Sequence, residues 1–233
     1  MNIIDSYHKE LLKYKNIHNG QTCYIFGSGS SINNFKIQEE GIFIGCNHII
    51  KNTYIKNKLQ YYFFGHGYME HVSENSPLGY GNHKKEVDEL GNHVTKFCMV
   101  SRDNDISIHN FTMKDVYNLK NINAIPCDMN LININIELSN QPFLNHSIVF
   151  PSIQFALYSG FKKIYLVGCD CNGFFHSQNF LNNKQTNPKI DMDLVYWWKQ
   201  IYNFKNTYYP STNIININPI GLKNIMDGDI YTD

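Results

Sequence analysis

Cys23-Tyr-Ile-Phe-Gly-Ser-Gly-Ser-Ser-Ile-Asn33 decides how this chain is read. Cys23 to Phe26 is a short apolar run of the kind that makes a buried strand, and it stops in Gly27-Ser28-Gly29-Ser30-Ser31. Glycine lets the backbone turn sharply and lets a neighbour come close, because no Cβ stands in the way. Serines cap a following helix. A strand that passes through such a turn into a helix N-terminus leaves N–H groups facing an anion, commonly a phosphate. The pattern is neither G-x-G-x-x-G nor a Walker loop, since no lysine follows the glycines. A plain tight turn is the competing reading.

Similar runs repeat outward from this turn. Ile42-Phe-Ile-Gly-Cys46 predicts a second strand ending at Asn47-His48, and Leu59 to Phe64 a third ending at Gly65-His66-Gly67. Phe97 to Val100 predicts another. Residues 6–18 predict a helix with Ser6 as N-cap and Gly20 as its stop. Ile32–Ile37 predicts a short helix, and 49–57 a helix or a loose turn. Ile148 to Tyr158 carries apolar residues at helical spacing, with Gly160 as a C-terminal cap. The next run, Lys162 to Asp170, predicts a strand with an aspartate just past its end, followed by a loop that holds His176. Asp191 and Asp193 favour the start of an aromatic-rich helix. Within it, the adjacent Tyr196, Trp197 and Trp198 cannot share one face. Ile214 to Ile217 predicts the last strand, and Pro219 a short terminal helix.

Strands alternating with helical segments predict an α/β fold, a Rossmann-like, mostly parallel sheet flanked by helices. In that architecture ligands bind beyond the carboxyl ends of the strands. Residues 1–233 are read as a single nucleotide-binding domain. Residues 101–145 lack a long period and contain Pro126 and Pro142, so loops and short elements are expected there. A partly irregular lid region is placed within 70–145 or 172–192.

Composition narrows the function. The formal net charge is zero and Arg102 is the single arginine, which argues against a nucleic-acid partner. Six cysteines, at 23, 46, 98, 127, 169 and 171, sit mostly in apolar runs without zinc-ribbon spacing, and are expected to be reduced thiols. Met1 to Glu10 has no apolar signal region, and no run approaches the roughly 18 apolar residues of a membrane span. A soluble, cytoplasmic protein is expected. A peripheral contact with the inner membrane stays open for a lipid-linked acceptor.

Two stretches carry a resemblance. One is Asn19-Gly-Gln-Thr-Cys-Tyr-Ile-Phe-Gly-Ser-Gly-Ser-Ser-Ile32 with Ile44-Gly-Cys-Asn47; the other is Ser159-Gly-Phe-Lys-Lys-Ile-Tyr-Leu-Val-Gly-Cys-Asp170. Together they resemble the superfamily that joins bacterial sialyltransferases of the Campylobacter lipooligosaccharide type with 6-hydroxymethylpterin pyrophosphokinase-like (MptE-like) proteins. The likeness covers about a third of the chain and leaves 70–145 unaligned. Ser30 stands where that family has proline, and Ile32 where it has leucine. Asn145-His146-Ser147 occupies the ground of an arginine and a small Ser-Gly pair.

The resemblance implies a nucleotide ligand whose phosphate side is lined by Gly27, Ser28, Gly29 and Ser31. It implies that Asn47 contacts the nucleotide or its sugar, and that Asp170 binds ribose or acts as a polar anchor. The plain alternatives are an asparagine in a turn and an aspartate capping one. Asn172, which with Cys171 replaces the tyrosines that often follow the aspartate, is counted with the nucleotide-binding set. His176 is the candidate base, since an attacking acceptor hydroxyl must lose its proton and histidine titrates near working pH. His66 is the rival base; His48 is a third, better read as structural. Tyr208 and Tyr209, ahead of Pro210, are candidates for hydroxyls near the nucleotide phosphate. No resident cofactor or metal is expected.

The implied activity is a glycosyltransferase that moves a sugar from a nucleotide-activated donor, with a CMP-linked one favoured, to a glycan or lipid-linked glycan acceptor in surface-glycan (lipopolysaccharide-type) assembly. The alternatives are an ATP-dependent pterin pyrophosphokinase-like enzyme, which would need Mg²⁺, and a non-catalytic nucleotide-binding relative.

Overall fold

A computed structural model describes residues 11–65, 86–87, 89–101, 122–128, 143–144, 147–171 and 190–232. Among the described residues, nine strands form one sheet: β1 Thr22–Phe26, β2 Ile42–Cys46, β3 Leu59–Gly65, β4 Thr95–Ser101, β5 Ile122–Asp128, β6 Phe143–Leu144, β7 Lys163–Val167, β8 Asn213–Ile217 and β9 Gly228–Ile230. Every pairing is parallel, in the order β6-β5-β4-β3-β2-β1-β7-β8-β9. The helices are α1 Thr53–Lys56, α2 Val149–Tyr158 and α3 Met192–Tyr208, with 3-10 turns at Ser30–Asn34 and Asn47–Lys51. This is the expected α/β, Rossmann-like architecture.

Strand alternation explains the two cores. Cys23, Ile25, Ile164 and Leu166 point to one face with α2 and with Val195, Trp198, Ile201 and Phe204 of α3. Tyr24, Phe26, Tyr165 and Val167 point to the other, with Ile32, Ile49, Ile50 and Ile55 from the short helices. A parallel sheet covered on both faces needs apolar residues at successive positions, and β1 supplies them. All ten residues of α2 are buried. It ends in a Schellman cap: Phe161 N–H donates to Ala156 O at 3.2 Å and Gly160 N–H to Leu157 O at 3.1 Å, with Gly160 at φ +84°.

Three expectations need correction. Residues 13–20 are hydrogen-bonded turns, tied by Asn16 N–H to Tyr158 O and by His18 N–H to Ser159 O. Of the expected helix only 11–12 is seen, and its start lies outside the described residues. The poorly patterned 101–145 contributes β5 and β6 to the sheet. Pro126 is tolerated because β6 pairs with β5 only at Cys127 and Asp128, so β5 behaves as an edge strand at the proline. After Pro219 the chain makes turns and then β9, not a helix. The side chain of Asp229 holds it there, taking Asn216 Nδ2–H at 3.0 Å and Asn224 N–H at 2.8 Å.

Candidate functional site

The order of the strands places the site. From β1 the chain lays down β2 to β6 on one side, then crosses to β7 on the other. The connections therefore diverge between β1 and β7, and open α/β sheets form their ligand crevice at such a switch point, beyond the carboxyl ends. The two turns that emerge there are Gly27–Ser31 and Gly168–Asp170, the same two stretches that carry the sequence resemblance.

They interlock. Gly27 N–H donates to Val167 O and Gly29 N–H to Gly168 O, each at 2.8 Å. A Cβ on Gly27 would lie 2.4 Å from Gly168 O, and one on Gly29 would lie 2.5 Å from the Asp170 carboxyl carbon. Both glycines are thus required by contact between the two turns, a role that leaves ligand approach out of account. Gly168 itself has φ +69°.

Asp170 is 3% exposed. Its Oδ2 accepts Ser31 N–H at 2.9 Å and Ser30 Oγ–H at 3.3 Å, while Oδ1 accepts the Ser31 hydroxyl. The aspartate therefore caps the bend, the plainer of its two readings, and uses donors of Ser31 that a phosphate would need. Burial pushes its carboxyl above the ordinary value, and the bonds from Ser31 and Ser30 pull it back. Among the described residues no cation pairs with it.

The neighbouring strand ends complete the edge. Asn47 follows β2 at φ +46°, accepts Gly65 N–H on Oδ1 at 3.3 Å, and offers its carbonyl to Tyr62 OH at 2.7 Å. It is half-buried between the ends of β2 and β3. Ser28 is half-buried, and no described residue takes its hydroxyl. Helix α2 begins against the end of β2, where Cys46 Sγ lies 4.0 Å from Ile148 O and 3.5 Å from Ser152 Oγ. At the first turn of α2, Ser147 Oγ accepts Val149 N–H at 3.5 Å and Ser147 O accepts Phe150 N–H at 2.9 Å. Gly221 N–H donates to Asp170 O at 2.9 Å and Asp191 N–H to Cys171 O at 2.7 Å, so the exit from β8 and the start of α3 join the same edge. Sequence reasoning passed over Gly221; a Cβ there would lie 2.6 Å from Asp170 O.

Burial drives the thiols of Cys46 and Cys171 up to about 12 and that of Cys169 well above its ordinary value, so all three stay protonated. Cys23, Cys46, Cys98, Cys169 and Cys171 form no disulfide in the structure. Among the described residues no three His, Cys, Asp or Glu side chains are grouped to hold a metal ion. His48 is buried in the turn after β2, in keeping with a structural role. His66, Asn172 and His176 lie outside the described residues.

Two aromatic expectations separate. Trp198 is core and Tyr196 is 56% exposed. Tyr208 and Tyr209 do not reach the site: α3 runs antiparallel to the strands and ends next to Asn213, which pairs with Lys163 at the amino end of β7. That is the opposite edge from Gly27–Ser31.

No protein-family model matches the chain, and no curated protein sequence does. Among solved structures, the MAf glycosyltransferase of Magnetospirillum magneticum AMB-1 overlays 98% of this chain on 38% of its own, at 15% identity and a TM-score of 0.48. The sialyltransferase CstII of Campylobacter jejuni, in complex with the substrate analogue cytidine-5'-monophosphate, overlays 85% of this chain on 80% of its own, at 14% identity and a TM-score of 0.44. This chain thus spans well under half the length of the first. No helix among the described residues is long and apolar enough to cross a membrane.

Proposed function

We propose that the protein is a glycosyltransferase that takes its sugar from a nucleotide-activated, CMP-linked donor and passes it to a glycan or lipid-linked glycan acceptor. One observation carries the reading. The two stretches that resemble the sialyltransferase superfamily, far apart in sequence, meet at the switch point of a parallel sheet, where such sheets bind nucleotides. The nucleotide would lie across the carboxyl ends of β7, β1 and β2, with Gly27, Ser28, Gly29, Ser31, Asn47 and Asp170 on or beside its path; Asn172 is proposed as a further contact from the sequence alone. An asparagine amide offers both a donor and an acceptor, which suits ribose and base edges.

In this reading the acceptor hydroxyl attacks the anomeric carbon as the CMP oxygen leaves, and its proton passes to His176, with His66 as the rival base. Backbone N–H groups at the edge would stabilise the departing phosphate. The reaction is proposed to need no metal. Calorimetry with CMP, CDP and ATP–Mg²⁺ tests this. Binding of CMP in EDTA is expected, and binding of ATP that needs Mg²⁺ would favour the pyrophosphokinase reading. CMP binding without hydrolysis or transfer of a CMP-sugar would leave a binding protein. His176→Ala is expected to keep CMP affinity and lose turnover at least a hundredfold, roughly the contribution of a positioned base; unchanged turnover passes the role to His66.

A further inference from the structure

The capped bend has a consequence for how a ligand is seated, and it rests on the nucleotide reading above. Three donors reach the Asp170 carboxyl group, the Ser31 N–H and the hydroxyls of Ser30 and Ser31, and such donors favour its ionised form. Gly29 is shaped around it, since any Cβ there would strike the carboxyl group. The bend is therefore held by a resident anion whether or not a ligand is bound. No described cation offsets that charge, and a second anion beside so buried a carboxylate would be repelled.

We propose that Asp170 is a positioning residue: it holds the Gly27–Ser31 bend ready for the ligand, and its charge seats the nucleotide with its uncharged, hydroxyl-bearing part against Ser30–Ser31 and its phosphate away from them. The carboxylate thus contributes to specificity by exclusion and touches the serines in place of the phosphate.

Asp170→Asn separates charge from shape. Its Oδ1 accepts the Ser31 N–H and its Nδ2 donates to the Ser31 hydroxyl, so the bend keeps both holds and loses the charge. In this variant CMP is expected to tighten relative to cytidine by roughly tenfold, equivalent to about 1.4 kcal/mol, with the gain shrinking at high salt. Inorganic pyrophosphate, which carries no nucleoside, is expected to tighten likewise. Hydrogen exchange of the Ser31 amide in the ligand-free protein should stay slow in Asp170→Asn and become fast in Asp170→Ala. Loss of both CMP and cytidine affinity with Ser31 still protected would show the carboxylate contacting the ribose, and would overturn the proposal. So would an unchanged CMP-to-cytidine ratio, or Ser31 exchange that is indifferent to Asp170→Ala. If wild type binds no nucleotide at all, the glycosyltransferase reading fails by itself. The pyrophosphate and exchange results then decide Asp170: tightening with slow exchange supports its role, and no tightening overturns it.

Discussion

The two edges of the sheet are closed by opposite chemistry. At the amino edge, carboxylates meet lysines: Glu39 takes Lys163 at 2.7 Å, and Asp227 takes the buried Lys205 at 2.7 Å while accepting Tyr202 OH and Ile214 N–H. At the carboxyl edge, Asp170 is held by neutral serine donors, and the turns touch through glycines. At the amino edge these two carboxylates each have a cation beside them. At the carboxyl edge Asp170 has none among the described residues, beside the residues whose pattern suggests a ligand. An edge that only holds the fold can pair its charges completely; an edge that receives a ligand has reason to leave some unpaired.

The largest test lies at the amino edge. Lys205→Ala removes a buried ammonium and its alkyl stem and leaves the Asp227 carboxylate, at the surface end of the pair, without its cation; it is expected to cost about 4 kcal/mol in denaturant unfolding. A loss below about 1 kcal/mol would mean the pair does not close that edge. Gly27→Ala drives a methyl onto the Gly168 carbonyl, which is backbone and cannot swing aside. About 3 kcal/mol is expected, and a neutral result would break the claim that contact between turns dictates this glycine.

Acid should act on the two edges in opposite senses. His18 is half-buried, stacks on Phe161 at 4.6 Å, and bonds Tyr61 OH at 2.6 Å; burial lowers its pKa. The unfolded chain then binds the proton more readily, so the His18 contribution is fully present above about pH 6.5 and is lost as pH falls from there through the lowered folded value. Asp170 is raised, so the folded protein binds its proton first: its contribution is fully present below the ordinary carboxylate pKa and is lost as pH rises through the raised one. Thermal melts between pH 7 and 4 should show a smaller acid loss in His18→Gln than in wild type, and a larger one in Asp170→Asn. Identical slopes in all three would remove the contrast. The smallest effect belongs to Glu39→Gln. The Glu39–Lys163 pair is more than a third exposed on both sides, and at most about 0.5 kcal/mol is expected, fading with added salt.

Much of the sheet is legible in the chain. Thr22–Phe26, Ile42–Cys46, Leu59–Gly65 and Lys163–Val167 are near-continuous apolar runs, because strands buried on both faces leave no polar alternation. Asp191 announces α3 as a cap, accepting Leu194 N–H at 3.0 Å, and Gly160 announces the end of α2. Strands β5 and β9 are not legible: Pro126 disguises one, and the other is fastened by side chains of Asn216 and Asp229 that find each other only in the fold. Tyr208 and Tyr209 looked suited to a phosphate until the direction of α3 put them at the other edge.

Local sequence therefore determined the central strands β1, β2, β3 and β7, the turns that follow them, and that Gly27 to Ser31 is a special bend, since backbone freedom and apolar runs are properties of neighbours along the chain. What the glycines make room for, and which anion the serines hold, was decided by β7 lying next to β1. Ser31 and Asp170 meet only after the chain has crossed the sheet, and a contact of that range leaves no local signature in either segment.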